Sequence, residues 1–144
     1  MKSSTKLVVI FVSLLLICFG AVSLVYSKYK ILGSMKFRYD FEIGKTVGFN
    51  LDPDAIHFGR LPAGGLGKRD VYVNNTFEVP ALVVIKISGD KADEWVYPSD
   101  NNFVLQPGES KKITLYCEVP KEINEEDYAG KKFKGIILIL LKRI

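Results

Sequence analysis

Two periods of apolar residues divide this chain. From Leu7 to Tyr26 it reads LVVIFVSLLLICFGAVSLVY, twenty residues without a charge. Wound as a helix, such a run rises about 30 Å, the thickness of a bilayer's hydrocarbon core. Ser13 and Ser23 are its only hydroxyls before Tyr26, and a helix bonds such groups back to its own carbonyls. Further along the period becomes two. KFRYDFEI alternates without error, with Phe37, Tyr39, Phe41 and Ile43 on one face and Lys36, Arg38, Asp40 and Glu42 on the other. That pattern predicts a strand with one wet side. Val47, Phe49 and Leu51 continue the alternation past a break at Gly44, and Asp52-Pro53-Asp54 predicts a turn.

More short strands follow. Ile56-His57-Phe58 is one, with His57 outward if its neighbours point in. DVYVNN (70–75) is the next, and ALVVIKIS (81–88), apolar on both faces until Lys86, reads as a central strand. EWVY (94–97) and NFVL (102–105) flank Pro98-Ser99-Asp100, LQPGES is a turn, and KKITLYCEV (111–119) is a longer strand. After the polar stretch PKEINEEDYAGKK the chain ends in FKGIILILLKRI. No window outside the membrane run shows a helical period. Strands recurring every 8–12 residues or so, punctuated by Gly, Pro, Asn and Asp, predict an all-β sandwich of about seven to eight strands. The expected organisation is a short tail at 1–6, a transmembrane helix at 7–26, a stalk at 27–35 and the β-sandwich at 36–144.

Several of these segments carry a family likeness. IHFGRLPAGG, DVYVNNT, PALVVIKISG, VLQPGESKKITLYCEVP and GKKFKGIILI together resemble the immunoglobulin-like domains of the major sperm protein and PapD-like type, also found on archaeal and bacterial surface proteins. The shared marks are the FG after the first strand, the V-x-V-x-N ending at Asn75, the PGES turn at 107–110, and the approach from Gly130 to Gly135 into the last strand. The resemblance covers roughly residues 51–144 and implies an immunoglobulin-like β-sandwich. Its marks are turns rather than chemistry, so it implies a fold and no activity.

The charge distribution sharpens the membrane reading. The formal net charge is +4, and Lys2, Lys6, Lys28 and Lys30 around the apolar run supply all of it, leaving 31–144 neutral. A nucleic-acid binder would carry its excess on the folded domain, so the basic balance points to lipid headgroups instead. A cleaved signal peptide is the competing account, since Ala21-Val22-Ser23 imitates a cleavage site. The run is longer than the roughly 7–15 residues of a usual signal core, which favours a retained anchor. Lipidation at Cys18 is excluded by the bulky Ile17 before it. With the short head left in the cytoplasm, the domain is expected on the extracytoplasmic side of the cell membrane.

Candidate chemistry is sparse. HFGRLPAGGLGKRD has glycines and a Gly67-Lys68 pair, but Pro62 stands where a phosphate loop needs glycine, and Arg69 where it needs Ser or Thr. A loop between strands is the simpler reading. His57 is the only histidine, which rules out a two-histidine zinc site, and it reads as an exposed strand residue. Glu122, Glu125, Glu126 and Asp127 form an acidic cluster flanked by lysines, without EF-hand spacing, and read as a solvated loop. Cys117 is in phase with Ile113, Leu115 and Val119 and reads as a small buried hydrophobe. Asn74-Asn75-Thr76 is a glycosylation sequon at Asn74.

The last strand is the oddity. Ile137, Ile139 and Leu141 occupy one face and Ile136, Leu138 and Leu140 the other, although a sandwich strand normally buries one face. Either another element covers the second face, or Ile136, Leu138 and Leu140 form a partner surface, in its sharpest form through strand addition or self-association. The expected function is therefore a single-pass, membrane-anchored, non-catalytic module for protein interaction or cell-envelope structure, with lipid met through the helix, no cofactor and no nucleic acid. The alternative is a secreted or envelope-assembly component, such as a filament, surface-layer or chaperone-like subunit, with a cleaved signal peptide and assembly through the last strand.

Overall fold

The computed structural model describes residues 3–46, 48 and 54–144, in two compact units that meet between Ile31 and Leu32. The first unit is one helix, α1 (Ser3–Lys30). The Ser13 hydroxyl donates to the Val9 carbonyl at 2.8 Å, so it leaves no orphaned donor in apolar surroundings. Ser3–Ser27 is long and apolar enough to cross a membrane, a property that signal sequences share. The segment expected to be a stalk is regular throughout. Ser27–Lys30 finish the helix and Ile31–Met35 begin the first strand. Nothing in SKYKILGSM breaks either element, and its one glycine, Gly33, lies against the Phe77 ring, where a Cβ would come within 3.1 Å. The tail expected at 1–6 is likewise helical from Ser3.

The second unit holds eight strands among the described residues: β1 (Ile31–Ile43), β2 (Ile56–Leu61), β3 (Leu66–Asn74), β4 (Ala81–Gly89), β5 (Val96–Pro98), β6 (Phe103–Leu105), β7 (Ser110–Glu118) and β8 (Lys132–Arg143). They form a five-stranded sheet in the order β2-β1-β8-β4-β6 and a three-stranded sheet in the order β3-β7-β5. Side chains from both sheets meet in one core. The five-stranded sheet supplies Tyr39, Phe41, Val83, Ile85, Ile137 and Ile139, and the other supplies Val73, Ile113, Leu115 and Cys117. The domain is thus mostly β with two sheets, and its inward residues are the in-phase positions of the sequence.

The alternation at 36–43 belongs to β1, second in the large sheet and hydrogen-bonded to β2 and β8. The pairing of β1 with β2 is parallel and slips by one residue, Asp40 facing His57 and Phe41 facing Gly59. Phe58 is the extra residue of this bulge, and Gly59 carries the positive φ of 83° that follows it. The alternation at Val47, Phe49 and Leu51, and Asp52 and Pro53 of the expected turn, lie outside the described residues.

Two further expectations change. EWVY is not a strand throughout: Glu94 and Trp95 close a single helical turn, α2 (Ala92–Trp95), before β5 starts at Val96. The turn brings the Trp95 ring to 6.1 Å from Phe41 and 5.9 Å from Phe133, so burying the largest apolar side chain outweighs strand continuity. A second turn, α3 (Glu125–Tyr128), begins at Asn124, whose side chain accepts from the Glu126 amide. Both are too short to leave a period in the sequence. The glycine-rich stretch is mostly strand: only 62–65 turn, closed by Gly65 N–H donating to Pro62 O at 2.8 Å. Gly67 sits inside β3 against Phe58, where a Cβ would lie at 3.1 Å.

Candidate functional site

The doubly apolar strand is β8, and its place explains its composition. It lies third of five, paired with β4 from Ala81–Arg143 to Gly89–Gly135 and flanked by β1 on its other side. Both backbone edges are therefore occupied, and strand addition along β8, the sharpest sequence expectation, has no free edge to use. Its inward residues Ile137, Ile139 and Leu141 are buried. Of the outward set, Leu140 is 8% exposed, opposite Val84, whereas Ile136 and Leu138 are half-buried opposite Ser88 and Lys86. The neighbouring strands thus cover one of the three candidate partner residues and leave two at the surface. Ile136 and Leu138 floor a groove of about 760 Å³, with Lys36 of β1 on one wall and Lys86 and Ser88 of β4 on the other.

The same outward face carries a charged cluster that the sequence pattern does not announce. His57 is 6% exposed, not the exposed strand residue expected. Its Nδ1 lies 2.8 Å from Asp40 Oδ1 and its Nε2 2.8 Å from Asp54 Oδ1. A neutral imidazole has one N–H and satisfies one carboxylate; the imidazolium donates to both. Hydrogen bonding to Asp40, then to Asp54, raises the His57 pKa above its ordinary value, and burial opposes this only in part. The bond from His57 likewise lowers the Asp54 pKa. Chemically this is a clamp: it ties the turn at Asp54 to β1 and β2, and it leaves no ring nitrogen free for a nucleophile or a metal. The signal was present but incomplete. Asp40 lies outward in phase, and Asp54 precedes His57 by three residues, yet only the parallel pairing of β1 with β2 brings all three together.

The remaining candidates have structural partners. Glu125 of the acidic stretch accepts from the Ala63 amide at 2.8 Å, fastening the polar loop to the turn at 62–65. Among the described residues no group of three His, Cys, Asp or Glu side chains is placed to hold a metal ion. Cys117 is buried in the core, and burial pushes its thiol up to about 12. Asn74 is exposed at the end of β3, accessible as a sequon requires. Its neighbour Asn75 is fully buried, donating to Val79 and Leu105 carbonyls at 2.9 and 3.0 Å and accepting from the Phe77 amide. The asparagine that ends the V-x-V-x-N pattern thus fixes the crossing from β3 to β4 and secures the edge strand β6.

Comparison of the chain with models of known protein families, with curated proteins and with solved structures found no match.

Proposed function

We propose that this chain is a single-pass membrane protein that presents a non-catalytic, immunoglobulin-like β-sandwich on the extracytoplasmic side, for protein interaction or cell-envelope structure. One observation carries the reading: a 25-residue apolar helix stretch leads, within a few residues, into the first strand of a folded β domain. The helix exceeds a usual signal core in length, which supports retention. Two sheets of five and three strands around one core support the sandwich. Tethering makes a weak contact effective, because an anchored domain meets its partner at high local concentration. The histidine clamp and the buried thiol act in folding, and neither is part of a reaction in this reading.

The test is the intact mass of the protein extracted from its native membranes, combined with protease accessibility of the domain in sealed vesicles. A full-length mass with the domain protected from cytoplasmic-side protease supports the reading. A mass short of the first twenty-odd residues replaces it with a released envelope component.

A further inference from the structure

The outward face of the five-stranded sheet has an apolar centre and an uneven rim. Its centre is Ile136 and Leu138 above the buried Leu140, with Val84 beside them. Its acids, Asp40 and Glu42, lie toward β2 and are engaged, Asp40 by His57 at 2.8 Å and Glu42 by Arg60 at 3.4 Å. Lys36 and Lys86, which line the groove, and Lys142, farther along β8, have no carboxylate partner among the described residues. Among the described residues, the unpaired charge of this face is positive.

We propose that this face docks on an anionic lipid surface, the groove floor meeting the headgroup–acyl boundary and Lys36, Lys86 and Lys142 meeting lipid phosphates. The inference rests on the anchored reading above. A second copy fits poorly, since face-to-face pairing would oppose two basic rims. An acidic protein would match the charge, but the bilayer is already at hand. Ten residue steps, four helical and six extended, lead from Tyr26 to Lys36, no more than about 26 Å of chain. A lipid surface within that reach is always present at high effective concentration. Half-buried aliphatic residues ringed by lysines are the composition of interfacial membrane contacts, where apolar area and attraction to anionic lipid act together.

The experiment uses the full chain in nanodiscs, of phosphatidylcholine alone or with added phosphatidylglycerol, each containing a headgroup-level spin-labelled lipid. Cys18→Ser removes the accessible thiol, and Cys117 is buried, so a fluorophore at Ser88→Cys reports this face alone. A matched label at Tyr72→Cys, 68% exposed on β3, reports the opposite sheet. The expected result is quenching at Ser88 and not at Tyr72, stronger in anionic discs and weakened by salt. Replacing Lys36, Lys86 and Lys142 by Gln should lower the docked-to-undocked ratio by about fivefold per lysine. Equal quenching at both sites, no quenching in discs that carry the protein, or quenching indifferent to lipid charge each overturns the proposal. So does a Ser88 label shielded from solvent but not quenched, which means a protein covers the face. If the chain does not incorporate into discs at all, the anchor reading fails, and the docking proposal with it.

Discussion

Single side chains decide much of this domain, and His57 has the most measurable consequence. Its raised pKa means that its contribution to stability is complete below the ordinary histidine value of 6.5 and fades as pH rises through the folded-state value. The lowered pKa of Asp54 acts at the other end: its contribution is complete above 3.8 and is lost as pH falls through its folded-state value. The clamp therefore stabilises most between these limits. Urea titrations followed by Trp95, the only tryptophan and a core residue, should show midpoints falling as pH rises above 6.5. His57→Gln should flatten that fall, and an unchanged slope would mean that the clamp does not form. Asn75→Ala should cost about 2–4 kcal/mol, because it strands the buried Leu105 carbonyl and the part-buried Val79 carbonyl and Phe77 amide. Gly135→Ala should cost about 3 kcal/mol, since its Cβ would stand 2.3 Å from both the Ser88 carbonyl oxygen and the Tyr39 ring. Both are read as urea midpoints with unchanged m-value.

At the scale of the element, β8 separates two residues that sequence treats alike. Leu140→Lys places an unpaired charge at an 8% exposed site and should cost about 3 kcal/mol or more, whereas Leu138→Lys should leave the fold within about 1 kcal/mol of the parent. Equal effects in thermal melts would contradict the division of that face. The period-two signal was legible wherever a strand buries one face, as at 36–43 and 111–119, because alternation is a direct print of burial. It failed where tertiary packing overrode local pattern, as at Trp95, which the core draws into a helical turn. It was silent on order in the sheet, since no alternation records which strand lies beside which. For that reason His57 read as exposed: the residues that cover it come from β1 and from the turn before β2, and pairing brings them there. The edge of β4 shows the same limit. Past the short β6, the Asn101 side chain bonds the Ile85 amide and carbonyl at 2.7 and 2.9 Å and stands in for a strand, a role no spacing announces.

For the whole molecule, the proposed anchor raises the question of which side of a membrane the domain would occupy. If it crosses to the lumenal side when made in the presence of microsomes, Asn74 should be glycosylated, seen as a mobility shift that a glycosidase removes and Asn74→Gln abolishes. An unmodified Asn74 beside a modified engineered sequon elsewhere on the domain would instead show that the end of β3 is poorly accessible. The connection at Lys30–Ile31 has a mechanical meaning as well. α1 ends at Lys30 and β1 begins at the next residue, so a pull along the helix enters the domain through β1. That strand is not at a sheet margin but between β2 and β8, and it carries Tyr39, Phe41 and Ile43 into the core. If α1 is a retained anchor, as proposed, a load drawn through it would enter the domain at a strand held on both sides, and extraction would pull on the core before any sheet edge.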